Sequence, residues 1–227
     1  MPKVTEQKRQ ETVDKILRSA IDLFSRRGYH NTQVMDVVRA ANISAGTFYN
    51  YFKDKRELYE RITRENFDGF RLSLLEIRRP VNIWDRDEQR DKLYKTFSAL
   101  FDFVEEHPQL LTIMLRGGYG VDESFDIITW GSFSTFADDL AEDIQEWLDE
   151  GIIEQINPHL FGHAVVGMAM QIIHSFQFDR RFTRDEAIDY MIISSLATFD
   201  QFLTRKGRKI IEKQDPKRGG SMAGNSS

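Results

Sequence analysis

Seven side chains packed into the twelve positions from Ser44 to Lys55 carry hydroxyl, amide or ammonium groups: Ser44, Thr47, Tyr49, Asn50, Tyr51, Lys53 and Lys55. Such a set suits the recognition of a nucleic acid. Ammonium groups attract phosphates, and tyrosine hydroxyls donate to phosphate oxygens. An Asn side chain pairs with two atoms of an adenine edge, and a Thr methyl packs on the methyl of thymine. A second reading fits the same residues: a helical corner with a core of Phe48 and Phe52 and a solvated lysine end.

The elements that would position these groups follow from periodicity. Apolar residues Val13, Ile16, Leu17, Ala20, Leu23 and Phe24 predict an amphipathic helix over 9–27, stopped by Gly28. Thr32 is an expected N-cap for a short helix over 33–40. Ala41-Asn42-Ile43 is an expected tight turn, with Asn42 suited to the left-handed conformation. Ser44 and Asp54 are expected caps for a third helix and for a fourth over 55–79. At about 100° per residue, Phe48 and Phe52 share one face with Ala45 beside them. Gly46, Asn50 and Lys53 then lie opposite, flanked by Thr47 and Tyr49. Helix, short turn and helix in this order make the helix-turn-helix arrangement, whose second helix enters the DNA major groove. Backbone N–H groups at the starts of both short helices are suited to phosphate.

Charge points the same way. The chain has 31 Lys and Arg against 36 Asp and Glu, but residues 1–56 hold 11 basic and 6 acidic residues, and the remainder holds 20 and 30. A basic head on an acidic body suits contact with a polyanion. The other reading is a chance fluctuation of a solvated surface.

The stretch from Thr32, TQVMDVVRAANISAGTFYNYFKDKREL, resembles the N-terminal domain of TetR-family transcriptional regulators, as does ILRSAIDLFSRRGYHNT before it. The resemblance covers about residues 10–60. It implies an all-α homodimer with an N-terminal three-helix helix-turn-helix domain and a C-terminal helical ligand-binding and dimerisation domain. It further implies that operator DNA binds the N-terminal domain and a small-molecule effector binds the body. Carried over by position, Thr32 matches the cap of the second helix, a phosphate contact. Gln33 and Met35 match positions that face DNA, although the family often has a basic residue where Met35 stands. Ser44, Ala45, Gly46, Thr47, Tyr49, Asn50 and Tyr51 match the recognition helix, with Lys53 beyond it. Lys55 matches a phosphate-binding lysine, and Asn42 stands where the family usually has Gly. The domain boundaries expected are 1–56 for the DNA-binding head, 57–213 for the body and 214–227 for a polar, glycine-rich tail.

The body reads as further helices: 87–107, 109–116, 123–150, 158–178 and 184–206. Candidate effector contacts are Phe97, Phe101, Met114, Arg116, Trp130, Phe133, Met168, Ile172 and His174. Aromatic and Met side chains suit an apolar cavity for a hydrophobic or acyl-type ligand, and Arg116 suits an anionic group on it. The same stripes serve equally as solid core, and Arg116 as a helix-end charge. The last two long helices carry broad apolar faces, with Gly162, Gly167 and Ala169 small enough for a partner helix to approach. The resemblance makes these helices the dimer interface.

Several classes are not indicated. No nucleophile elbow, phosphate-binding loop or dinucleotide fingerprint occurs, so no enzyme activity is expected. There is no cysteine. His159 and His163 at i, i+4 read as surface histidines, and neither a metal nor a cofactor is expected. No apolar run reaches the roughly 18 residues of a membrane helix, and the first residues lack the apolar stretch of a signal peptide. A cytoplasmic location, with no membrane partner, is expected.

Overall fold

The computed structural model describes residues 2–78, 85–117, 123–179 and 181–214, all built from helices. In chain order they are α1 (Pro2–Arg27), α2 (Val34–Ala40), α3 (Ala45–Tyr49), α4 (Lys55–Arg78), α5 (Arg86–Glu106), α6 (Pro108–Gly117), α7 (Glu123–Asp149), α8 (Pro158–Phe178), α9 (Arg184–Gln201) and α10 (Arg205–Gln214). The expected all-α class holds. The tail expected from 214 lies, after Gln214, outside the described residues.

The chain divides into two compact units. The first joins Met1–Phe70 with Val104–Ser132, and the second joins Arg71–Phe103 with Phe133–Ser227. In the first, α1 packs on α2 and α6, and α2 on α3. Its core holds Val13, Ile16, Ala20 and Phe24 of α1, Val37 and Val38 of α2, and Phe48 and Phe52, all from the apolar faces read in the sequence, together with Leu58, Tyr59 and Ile62 of α4, all buried. α1 starts at Pro2 rather than near residue 9. Residues 6–11 are exposed, and apolar periodicity cannot report such a turn. Its Glu, Gln, Lys and Arg residues have good helix propensity, and Gln10 bonds Asp14 one turn on at 2.8 Å.

In the second unit, Ile144, Ile152, Ile153, Phe199, Leu203 and Ile211 form one buried cluster. Arg71 donates to both carboxylate oxygens of Asp139 at 2.7 and 2.6 Å, and Asp139 is buried. A fork of this kind ties α4 to α7 and satisfies a carboxylate that water does not reach. The helix expected over 184–206 is broken. The backbone of 202–204 pairs instead with 152–154: Glu154 N donates to Phe202 O and Thr204 N to Ile152 O, both at 2.9 Å. The chain then restarts as α10, with Thr204 Oγ1 accepting from Gly207 N at 3.1 Å. No Gly or Pro marks this break; a tertiary ladder makes it.

Gly162 does not serve a partner helix. A Cβ there would sit 2.2 Å from the carbonyl oxygen of Ala137, so the missing side chain lets α8 lie against the backbone of α7. Gly162→Ala is expected to push these helices apart at a cost of about 1–3 kcal/mol, as overpacked cores do. A thermal melt should show Tm lower by about 3–10 °C. Gly167, by contrast, is exposed and meets nothing within 4 Å.

Candidate nucleic-acid interface

α1 ends where Gly28, at φ +81°, turns the chain in a conformation open to glycine. Thr32 then closes the loop into α2. It does not cap α2: it is fully buried, and its Oγ1 donates to Gly28 O at 2.9 Å. The expected phosphate contact by this hydroxyl is therefore not available from where it sits. Gln33 is the N-cap, and its backbone N–H donates to Asp36 Oδ2 at 2.9 Å. That bond, and then the bond from Arg39 at 2.6 Å, hold the Asp36 carboxyl below its ordinary range. The cap is thus intact at neutral pH and is lost only as the pH falls below the usual carboxylate range. Gln33 and Met35 are both exposed.

The turn into α3 runs through Asn42 at φ +53°, as its sequence indicated. Ser44 Oγ accepts from Thr47 N at 3.0 Å and pairs with Thr47 Oγ1 at 2.8 Å. The helix is short, and Asn50 is its C-cap, its N–H donating to Gly46 O at 3.2 Å. Phe48 and Phe52 fix one side in the core, their rings 5.7 Å apart. On the other side Gly46, Tyr49, Asn50 and Lys53 are exposed, while Ala45, Thr47 and Tyr51 are half-buried. Tyr51 lies under the guanidinium of Arg9, 5.8 Å from its ring centre, a contact from α1 that apolar periodicity missed. Gly46 is not required by the chain's own packing: a Cβ there would meet only Ser44 Oγ, at 3.8 Å.

α4 starts from Asp54, whose Oδ1 accepts from Glu57 N at 2.8 Å. Its first lysine behaves differently from the expectation. Lys55 Nζ donates to the carbonyls of Tyr29 and Thr32, both at 2.7 Å, and stands 4.0 Å from the centre of the Tyr29 ring. Burial lowers its pKa. Lys55 thus ties the start of α4 to the loop between α1 and α2, and its charge reaches the surface only in part. Lys55→Met is expected to lower the stability of the head by about 1–2 kcal/mol, since two carbonyls lose a charged donor. Urea denaturation should show it, whereas Lys53→Met should leave the midpoint unchanged.

The arrangement so described spans the residues 16–62 that match the family model for bacterial regulatory proteins, tetR family. Over those residues the chain is similar to TetR-family regulators. Members of that family are bacterial regulatory proteins. A curated relative, the biofilm operon icaADBC HTH-type negative transcriptional regulator IcaR of Staphylococcus aureus, is 26% identical over 142 residues, 62% of this chain and 72% of IcaR. Two solved structures share the fold. A putative TetR-family regulator from Syntrophomonas wolfei has a TM-score of 0.72 at 18% identity, covering 86% of this chain and 98% of that one. The regulator FadR from Bacillus subtilis, in complex with stearoyl-CoA, has a TM-score of 0.66 at 17% identity, covering 78% and 96%.

The candidate effector residues are placed less uniformly. Phe97, Phe101 and Phe133 are buried, with Phe101 edge-on to Phe176 at 5.0 Å. Met168 and Ile172 are half-buried. Trp130 is 49% exposed, and His174 is exposed with its ring 4.9 Å from that of Phe178. The side chains of Met114 and Arg116 lie outside the described residues. His163 is exposed, and His159 faces Asp138 at 3.2 Å. Among the described residues no group of three potential metal ligands occurs, and no helix is long and apolar enough to cross a membrane.

Proposed function

We propose that the chain is a one-component repressor that binds a pseudo-palindromic operator as a two-fold dimer and leaves it when a small hydrophobic or acyl-type effector binds the body. One observation carries the DNA contact: α3 is anchored by Phe48 and Phe52, and its free side offers Gly46, Tyr49 and Asn50 with Lys53 beyond. Gly46 permits close approach to the groove, Asn50 reads a base edge, and Tyr49 and Lys53 hold phosphates. Residues 1–56 would form the head and 57–213 the body. The negative regulation named for IcaR supports the repressor role. The stearoyl-CoA bound by FadR supports an acyl-type effector, for which Phe97, Phe101, Phe133, Met168 and Ile172 are the candidates.

The dimer reading rests on the outer sides of α8 and α9. Leu160, Ala164, Gly167, Gln171, His174 and Phe178 form an exposed stripe at helical spacing on α8. On α9, Tyr190 is 62% and Ile193 55% exposed. A two-fold axis would bring these faces against their own copies, setting the two α3 helices into successive major grooves about one turn or more apart. The coupling is one of linkage: an effector that favours a splayed dimer weakens DNA binding by the same factor that DNA weakens the effector. α4 contributes residues to both units, so its tilt is the element that both sites bias.

Anisotropy titrations on the selected operator and its single-base variants test the base reading. Asn50→Ala should relax discrimination at one base pair per half-site by about 1–3 kcal/mol. Lys53→Ala should weaken binding to all sequences alike and flatten the salt dependence. Equal effects of both substitutions on every sequence would remove Asn50 from base recognition.

A further inference from the structure

The last helix of the second unit is strongly basic. α10, RKGRKIIEKQ, has Arg205, Lys206, Arg208, Lys209 and Lys213 against Glu212. What seats the helix also decides where these side chains point. Gly207 and Ile211, one turn apart, are both buried. Ile211 joins the cluster of Ile144 and Ile152, and a Cβ on Gly207 would stand 2.4 Å from Ile152 O. At about 100° per residue, Arg205, Lys209 and Lys213 come out on the far side, and all three are exposed. They form a ridge at i, i+4 and i+8, and none of them has an ion pair among the described residues. Like charges at this spacing weaken a helix, so the ridge is unfavourable unless anions lie against it.

α7 carries the complement. Ala137, Ala141 and Ile144 face the core, and Asp138, Glu142 and Glu146 stand exposed on the other side, again at i, i+4 and i+8. Asp138 has His159 beside it at 3.2 Å, while Glu142 and Glu146 have no ion pair among the described residues. The two ridges have opposite sign and the same step of about 6 Å between charges, four residues at 1.5 Å each. Within one chain they do not meet: Lys206 Nζ reaches a backbone oxygen just past the end of α7, Glu150 O at 2.6 Å. Other occupants of the basic ridge fit less well. A nucleic acid would approach a body with 20 basic and 30 acidic residues from 57 onward. A lipid surface takes up a free apolar helix face, and that of α10 is already packed through Ile211, with Ile210 half-buried.

We propose that the basic ridge of α10 docks on the acidic ridge of α7 in a second copy of this chain. Under a two-fold axis the contact occurs twice, α10 of each copy on α7 of the other. It uses none of the α8 and α9 residues assigned to the dimer above, and it needs neither DNA nor an effector. Its failure would therefore leave the operator reading standing, and loss of operator binding would leave this contact standing. Exposed ion pairs are individually weak and are screened by salt, so the contact draws on several at once and belongs to low ionic strength.

Charge reversal in the full chain tests it. Lys209→Glu with Lys213→Glu makes α10 repel α7 of an identical copy, and Glu142→Lys with Glu146→Lys does the same from the other side. Mixed, the two variants regain both contacts, because reversed α10 meets reversed α7 and native α7 meets native α10. One variant is labelled with a fluorophore, and its anisotropy is followed as either variant is added. The unlike variant should bind at least about tenfold more tightly than the like one at about 0.05 M salt, the combined effect of several weak pairs. The difference should fall below about twofold at about 1 M salt, where the screening length is about 3 Å. Association through α8 and α9 adds equally to every combination and drops out of the comparison, and circular dichroism confirms the fold. If a double reversal does not fold, Lys209→Glu against Glu142→Lys gives the same comparison. Equal affinity of like and unlike pairs, or a preference that persists unchanged at high salt, would overturn the proposal. So would an α10 reversal that lowers binding to duplex DNA or to anionic vesicles while copies associate as in the parent chain.

Discussion

Gly46→Leu is expected to leave the chain folded and to reduce operator affinity at least about thirtyfold. The two halves of this result have separate physical sources. Within the chain, position 46 is exposed, and a Cβ meets nothing nearer than Ser44 Oγ at 3.8 Å. Leucine is also the better helix former, by close to 1 kcal/mol. Tm should therefore hold or rise slightly. In the proposed complex with DNA, the same side chain would stand where the backbone of α3 comes close to the base edges. Bulk forced into a packed contact costs about 1–3 kcal/mol. A two-fold dimer meets that cost twice, so about 2–6 kcal/mol is lost, and each 1.4 kcal/mol is tenfold. A glycine kept for reasons inside the fold would give the opposite pattern, a lower Tm with little specific loss of DNA binding. Anisotropy and a thermal melt on one preparation distinguish the two.

Phe48→Ala is expected to produce the complementary result, losing stability and all DNA binding together. Phe48 is fully buried, its ring 5.4 Å from Tyr49 and 5.7 Å from Phe52. α3 has five residues, too few to stand without tertiary packing. Removing a buried phenyl ring costs about 3–5 kcal/mol, a large share of the 5–15 kcal/mol that usually separates folded from unfolded chains. The loss should be confined to the first unit. Urea unfolding followed by circular dichroism should acquire an early transition, and binding to operator and to competitor DNA should fall by the same factor. Retained discrimination between the two DNAs would mean that α3 is not the element held by Phe48.

These two residues also show why this part of the molecule could be read without coordinates. Within so short a helix, the 3.6-residue period alone assigns Phe48 and Phe52 to one side and Gly46 and Asn50 to the other. Asn42 and Gly28 mark the left-handed positions that end the preceding helices, and Ser44 and Asp54 mark the starts of the following ones. Each of these signals is local and has one conformational meaning. Lys55 has no such signal. A lysine at the first turn of a helix reads as a surface cation, and only the carbonyls of Tyr29 and Thr32, brought near by the loop between α1 and α2, turn it inward. Thr32 is misread for a related reason: its hydroxyl can serve as a cap, but in the folded loop it donates to Gly28 O, and Gln33 takes the N-cap position.

In the body the limits are those of tertiary structure. The break between α9 and α10 comes from backbone pairing with residues about fifty positions earlier, which no window along the chain contains. Gly162 looks equivalent to Gly167 in sequence, yet one accepts the backbone of α7 and the other faces open space. Aromatic stripes indicate burial without indicating a void. Trp147 and Phe161, which line a cavity in the second unit, therefore could not be told from the residues that fill the core around Phe101.

In the proposed complex, α3 reads base sequence as part of a two-fold assembly. Its most direct test is to select ligands of the full-length chain from random duplex DNA near physiological salt and to measure the enriched sequence against its scramble. The expected product is an inverted repeat with half-sites about one helical turn or more apart, bound far more tightly than the scramble, and with discrimination relaxed at a single position per half-site by Asn50→Ala. Enrichment of no common sequence, with salt-sensitive binding equal for all duplexes, would contradict it.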